Sequence, residues 1–160
     1  MNLIPLLNKP YRDGVDDCYG LAREYYEEEY GLSFRNYARP VGFDQAGIPL
    51  LDQYFGAEGF VTINPTSIIN LERGDGLLFN LFKSKTANHV GVYIGNGYFI
   101  HHLYQKVSTC DRLDARWYNR ISRTLRHPDI TAQNESRMTK MSILEALPPH
   151  LRGQQDGTNP

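Results

Sequence analysis

Cys18 and two histidines, His89 and His101, supply the residue types that a cysteine hydrolase needs. Cys18 follows the acidic pair Asp16-Asp17. It opens a segment in which Leu21, Ala22, Tyr25, Tyr26 and Tyr30 recur at helical spacing, with Gly31 as a stop. Asp16 or Asp17 fits an N-cap that accepts free N–H groups of the first turn. A cysteine at a helix start meets the positive end of the helix dipole, which favours the nucleophilic thiolate. The same pattern also describes a structural cysteine buried beside a cap. His89 and His101 stand near the outer ends of two β-rich runs that flank Gly95-Asn96-Gly97, a strong hairpin signal. One strand histidine is commonly a packing residue. Two on one hairpin, with a helix-start cysteine elsewhere, point to cysteine–histidine hydrolysis.

Strand side chains alternate faces, so the hairpin register decides which residue stands beside His89. A two-residue turn, Asn96-Gly97, pairs Gly95 with Tyr98 and puts His102 on the face of His89. A three-residue turn, Gly95 to Gly97, pairs Ile94 with Tyr98 and puts His101 there. The local sequence permits both.

Other elements must hold these residues. The pattern predicts a helix over 17–30, a loop over 31–43, and a second helix within 44–56 with Leu50, Leu51, Tyr54 and Phe55 as its apolar face. A short strand over 59–63 leads to the turn Arg73-Gly74-Asp75-Gly76. The continuous apolar run 77–82 predicts a strand buried on both faces. After the hairpin come a segment over 107–111, a helical turn over 113–118 holding Trp117, and a last strand over 121–125. Beyond Pro128 the character changes. Residues 131–136 are polar and read as a linker. Met138, Met141, Leu144, Leu147 and Leu151 then recur at helix-like spacing, stopped by Pro148-Pro149, and 154–160 reads as a disordered end. The expected division is a domain over 1–128 and a linker with a partner-docking segment over 129–160, the docking residues being 137–151.

The chain has 160 residues and a formal net charge of −1, which fits one soluble domain and gives no broad attraction to nucleic acid or membrane. No stretch is apolar and long enough to span a bilayer. Met1 to Pro5 lacks a basic n-region and an apolar h-region, so it is a poor secretion signal. Cys18 and Cys110 form no disulfide framework, and the five histidines are scattered, so neither a metal nor a cofactor is expected. Arg73-Gly74-Asp75 matches an adhesion tripeptide, but its place before a buried strand favours a structural turn. Glu27-Glu28-Glu29 opposes the helix dipole and reads as a solvated face.

Asp17-Cys18-Tyr19-Gly20-Leu21, then Arg73-Gly74-Asp75 before Leu77-Leu78-Phe79, then His89-Val90-Gly91-Val92-Tyr93-Ile94-Gly95-Asn96-Gly97 and His101 resemble the NlpC family of bacterial and phage cell-wall cysteine peptidases. The resemblance runs from about Pro10 to Pro128. Many cellular members carry serine after the cysteine. Tyr19 and the ending Leu125-Arg126-His127-Pro128 look more like the phage tail-assembly branch. The resemblance implies an α+β fold with a papain-like core, in which the cysteine helix packs on an antiparallel, barrel-like sheet. It implies Cys18 as nucleophile, His89 as base and His101 as third member, and hence the three-residue turn. It also implies an oxyanion site from the Cys18 N–H and Tyr11. The implied substrate is the peptidoglycan stem peptide, cut after γ-linked D-glutamate. The implied setting is a phage tail tip, made in the host cytoplasm and acting at the wall, with other tail-tip or hub proteins as partners. A virion would deliver a wall hydrolase that lacks a secretion signal. A structural tail-tip protein that keeps the fold, and another cysteine–histidine amidase, are the alternatives.

Overall fold

The computed structural model describes residues 3–65 and 67–147. The polypeptide begins with a 3₁₀ turn, Ile4–Leu6, and a loop that leads into α1 (Cys18–Tyr30). Then follow α2 (Leu50–Ala57), β1 (Val61–Ile63), β2 (Gly76–Phe79), β3 (His89–Gly95), β4 (Tyr98–His102), β5 (Ser108–Arg112), α3 (Ala115–Tyr118), β6 (Ile121–Arg126) and α4 (Pro128–Ala146). The second helix is shorter than its sequence window, because 44–47 forms turns and the helix starts only after Pro49.

The strands form one antiparallel sheet in the order β1-β6-β2-β3-β4-β5. It is open, with β1 and β5 at its edges, so the barrel-like expectation is corrected to an unclosed sheet. Alternation along the strands gives the sheet two apolar faces. Leu78, Val90, Val92, Ile100 and Leu125 pack against Leu21, Tyr25, Tyr26, Leu51 and Phe55 from α1 and α2. Leu77, Phe79, Tyr93, Phe99 and Leu113 form the opposite cluster, with Trp117 of α3 against it. Burial on both faces explains why β2 reads as an unbroken apolar run.

The Arg73-Gly74-Asp75 turn is structural. Asp75 is buried, and its carboxylate accepts from the Glu72 N–H at 2.8 Å and from both Nε and Nη2 of Arg126 at 2.8 Å. This two-pronged ion pair ties the turn before β2 to the end of β6. An adhesion motif would need that carboxylate outside.

Residues 131–136 are not a linker. They are the first turns of α4, which starts at Pro128 with His127 as its cap. Ile130 enters the main core, Gln133 Nε2 donates to the Tyr30 carbonyl at 3.1 Å, and Asn134 Nδ2 donates to the Arg73 carbonyl at 2.7 Å. The segment is polar because the face it lays on its own domain is itself polar. Arg137 continues it, pairing with Glu29 and lying over the Tyr30 ring. Arg73 also pairs with Glu29, so two cations offset one of the acidic residues at the end of α1. Met138, Met141 and Ile143 are exposed on the distal turns. Pro148-Pro149, Leu151 and the 154–160 end lie outside the described residues.

Candidate active site

Asp17 is the N-cap of α1, which makes Cys18 its first residue. Asp17 Oδ1 accepts the Gly20 N–H at 2.8 Å, while Oδ2 accepts the Gly14 N–H at 3.1 Å and Arg39 Nε at 2.7 Å. Gly20 allows this tight start. A Cβ there would sit 1.9 Å from the Val15 carbonyl oxygen, so any other residue would push the preceding loop off the helix. Tyr19 is fully buried, donates to the Arg35 carbonyl at 3.2 Å, and offers its ring to the Arg39 guanidinium, 5.0 Å from the centroid. Arg39 is thus clamped between Asp17 and Tyr19, with Nη2 buried and unpartnered among the described residues.

Cys18 and His89 line one cavity of about 310 Å³, together with Tyr11, Asp17, Arg39 and His102. His89 reaches it from the first position of β3. His89 Nε2 lies 3.0 Å from His101 Nδ1, and His101 Nε2 lies 3.1 Å from Asp111 Oδ2 on β5. The His101 ring is wholly buried between Phe99, at 4.6 Å between centroids, and Trp117, at 4.8 Å. His102 points to the other face, with Nε2 donating to the Lys106 carbonyl at 3.1 Å and its ring edge-on to Tyr11.

The hairpin reaches this arrangement by a route that differs from the expected three-residue turn. Gly95 pairs with Tyr98, so the turn has two residues, Asn96 and Gly97, both with positive φ. Ile94 is an extra residue in β3, and the register shifts there, so that Tyr93 pairs with Phe99 and Gly91 with His101. The bulge restores the parity that the shorter turn would have reversed. Gly91 also has a steric duty: a Cβ at that position would meet the Phe99 ring at 2.6 Å.

Burial dominates the electrostatics. It pushes the Cys18 thiol up to about 12, and the adjacent Asp17 charge adds to this. The N–H groups of Val90 and Tyr19 and the Arg39 cation act the other way but do not prevail. Burial also holds His89 well below its ordinary value of 6.5, with further depression from His101 and His102. His101 is lowered for the same first reason, partly offset by Asp111. The resting pair is therefore a neutral thiol and a neutral imidazole. The helix-start argument for a resting thiolate is outweighed by desolvation and by the capping carboxylate.

This has a consequence for stability. Below pH 6.5 the unfolded chain takes up protons that the buried histidines of the folded chain refuse. The contribution of these two rings to stability is full above that value and is lost as pH falls below it. The thermal midpoint should drop on going from about pH 7.5 to about pH 5, and His89→Phe should flatten that dependence. A midpoint that is flat over this range in the unaltered protein would contradict the assignment of both rings as neutral.

Tyr11 lines the cavity, but its hydroxyl donates to Asp13 Oδ1 at 2.9 Å. Cys110 is an exposed free thiol on β5, and Cys18 is free as well. Among the described residues no cluster of histidine, cysteine and carboxylate side chains is placed to hold a metal ion. Two site residues escape sequence reading, Asp111 and Arg39. Asp111 could have been found only with the β4–β5 register, since its pairing with Phe99 puts it on the face of His101. Arg39 lies in an irregular loop that carries no local signal.

Helices packed on an open antiparallel sheet of six strands, with a cysteine at a helix start and a histidine pair on the sheet, make this an α+β protein. The family model described as the NlpC/P60 family matches residues 8–126, and the chain belongs to that family. The tail tip assembly protein K of Escherichia phage lambda is 30% identical over 122 residues, covering 76% of this chain and 59% of that protein. Tail tip assembly protein K of Escherichia phage N15 is 23% identical over 137 residues, covering 84% and 54%. The chain thus spans little more than half the length of these relatives. Among solved structures, the NlpC/p60 domain of the peptidoglycan hydrolase SagA matches with a TM-score of 0.47 at 18% identity, covering 77% of this chain and 91% of that one.

Proposed function

We propose that this protein is a cysteine peptidase that cuts peptidoglycan stem peptides, as part of a phage tail tip or during its assembly. The observation that carries this is the shared cavity of Cys18 and His89, with His89 held from behind by His101 at 3.0 Å. His89 Nε2 is engaged, so Nδ1 is the nitrogen that takes the thiol proton. The sulfur attacks the peptide carbonyl as that proton leaves, and the imidazolium then protonates the departing amine. Water completes the cycle by hydrolysing the thioester. Because the resting thiol is neutral, proton transfer accompanies attack rather than preceding it. The developing oxyanion is received by the Cys18 N–H at the helix start and by Tyr11, whose hydroxyl must first leave Asp13. The bond after γ-linked D-glutamate is the one the family resemblance favours.

The relatives' names support the tail setting. The exposed face of α4, with Met138 and Met141, suits an adaptable contact with a neighbouring tail protein. A structural role with dispensable chemistry is the second reading, favoured by the high pKa of Cys18 and by the assembly names of the relatives. Purified wall fragments incubated with the protein decide between the two. Release of an amine with its matching stem peptide is expected and identifies the bond. No release, with normal particle assembly by a Cys18 variant, would establish the structural reading.

A further inference from the structure

We propose that Asp111 is a positioning residue that keeps Nδ1 of His89 free of a proton, so that it can act as the base for Cys18. The assignment rests on the reading of Cys18 as nucleophile and His89 as its base. A carboxylate only accepts hydrogen bonds, so His101 Nε2, at 3.1 Å from Asp111 Oδ2, carries a proton. A neutral imidazole has one N–H, which leaves His101 Nδ1 with a lone pair. That lone pair lies 3.0 Å from His89 Nε2, so this nitrogen must be the donor. His89 Nδ1 is then unprotonated, as a general base requires.

The opposite arrangement is chemically as reasonable without Asp111. His101 Nδ1–H would donate to His89 Nε2, and His89 would carry its proton on Nδ1, unable to accept one from Cys18. Among the described residues, His89 and Asp111 are the hydrogen-bond partners of the His101 ring, and its other neighbours Phe99 and Trp117 present aromatic surface. The carboxylate acts through two rings, at the end of a relay that begins on the edge strand β5. It also supplies the negative charge that a Cys-His-His set lacks, and so steadies the imidazolium formed during attack. Asp111 is partly open to solvent and shares a second cavity with Lys83, Arg116 and Arg120, so its substitution does not leave a hole in the core.

The test is the ¹⁵N spectrum of the histidine rings in the full chain, recorded near neutral pH without substrate. The unaltered protein should show His89 as the single Nε2–H tautomer. Asp111→Ala should give a mixture. Asp111→Asn, whose amide can donate to His101 Nε2, should invert both rings. Asp111→Glu should keep the original pattern. On wall peptides, Asp111→Asn should lower kcat on the order of 10²-fold with KM within about twofold, since the variant loses a transition-state contribution and not a binding contact. Persistence of the original tautomer in folded Asp111→Ala and Asp111→Asn would overturn the proposal. Correct tautomer changes in a protein that cleaves no wall peptide would sustain the Asp111 assignment and defeat the peptidase reading instead.

Discussion

Cys18→Ala should abolish release of stem peptides from wall fragments, a loss of at least about 10³-fold, while the protein stays folded. The expected loss is this large because the side chain is the reacting group and no substitute is at hand. Cys110 is the other thiol, but it does not line the cavity that holds His89. The fold should tolerate the change because the anchors of the helix start lie elsewhere. Asp17 still caps α1, Gly20 still admits the Val15 carbonyl, and Arg39 still pairs with Asp17. Removing one sulfur from a half-buried position should cost no more than about 1 kcal/mol. Removing the buried charge of Asp17 should relieve the thiol too, since Asp17 is the second cause of its raised pKa. Undiminished turnover by Cys18→Ala would show that the cysteine is the structural residue that its sequence context also describes.

Truncation after Pro128 should unfold or severely destabilise the domain, whereas truncation after Lys140 should not. The first cut removes Ile130 from the core and breaks the bonds from Gln133 and Asn134 to the Tyr30 and Arg73 carbonyls. Burial of one isoleucine contributes about 1.5–3 kcal/mol, and each hydrogen bond about 0.5–1.5 kcal/mol. The total, roughly 2.5–6 kcal/mol, is a large share of the 5–15 kcal/mol by which domains are ordinarily stable. The cut also removes Arg137, one of the two cations that offset Glu29. The second cut keeps all of these contacts and takes away Met141 and Ile143, which are exposed. Denaturant melts should therefore separate the two shortened proteins. Particle assembly with the longer one reports whether the distal turns bind a partner. A stable, cooperative melt after the Pro128 cut would return residues 129–136 to the status of a linker.

The start of α1 was legible because capping is local: an aspartate, a cysteine and a glycine within four residues leave few alternatives. The two faces of the sheet followed from alternation and from the unbroken apolar run of β2. The partner of His89 was legible only through resemblance, since local turn chemistry favours Asn96-Gly97 and the compensating bulge at Ile94 has no signature of its own. A bulge is settled by what both strands pack against. Asp111 was invisible for a related reason, as its role depends on the pairing of β5 with β4. The start of α4 is not legible in the sequence, because beyond Ile130 its interface is made by Gln133, Asn134 and Arg137, whose composition is that of a linker.

The absence of a flexible joint before α4 has a mechanical meaning. A tethered domain sweeps a volume set by its linker and meets its target by chance. Here β6 runs into α4 through His127 alone, and the first turns of the helix are bolted to Tyr30, on the helix that begins with Cys18. From Arg137 to Ala146 the helix extends about 14 Å as a stiff handle. A neighbour that grips this handle would set the direction in which the cleft points. The angular freedom of the cleft would then be that of the grip, and a rotation at the grip would turn the cleft with it.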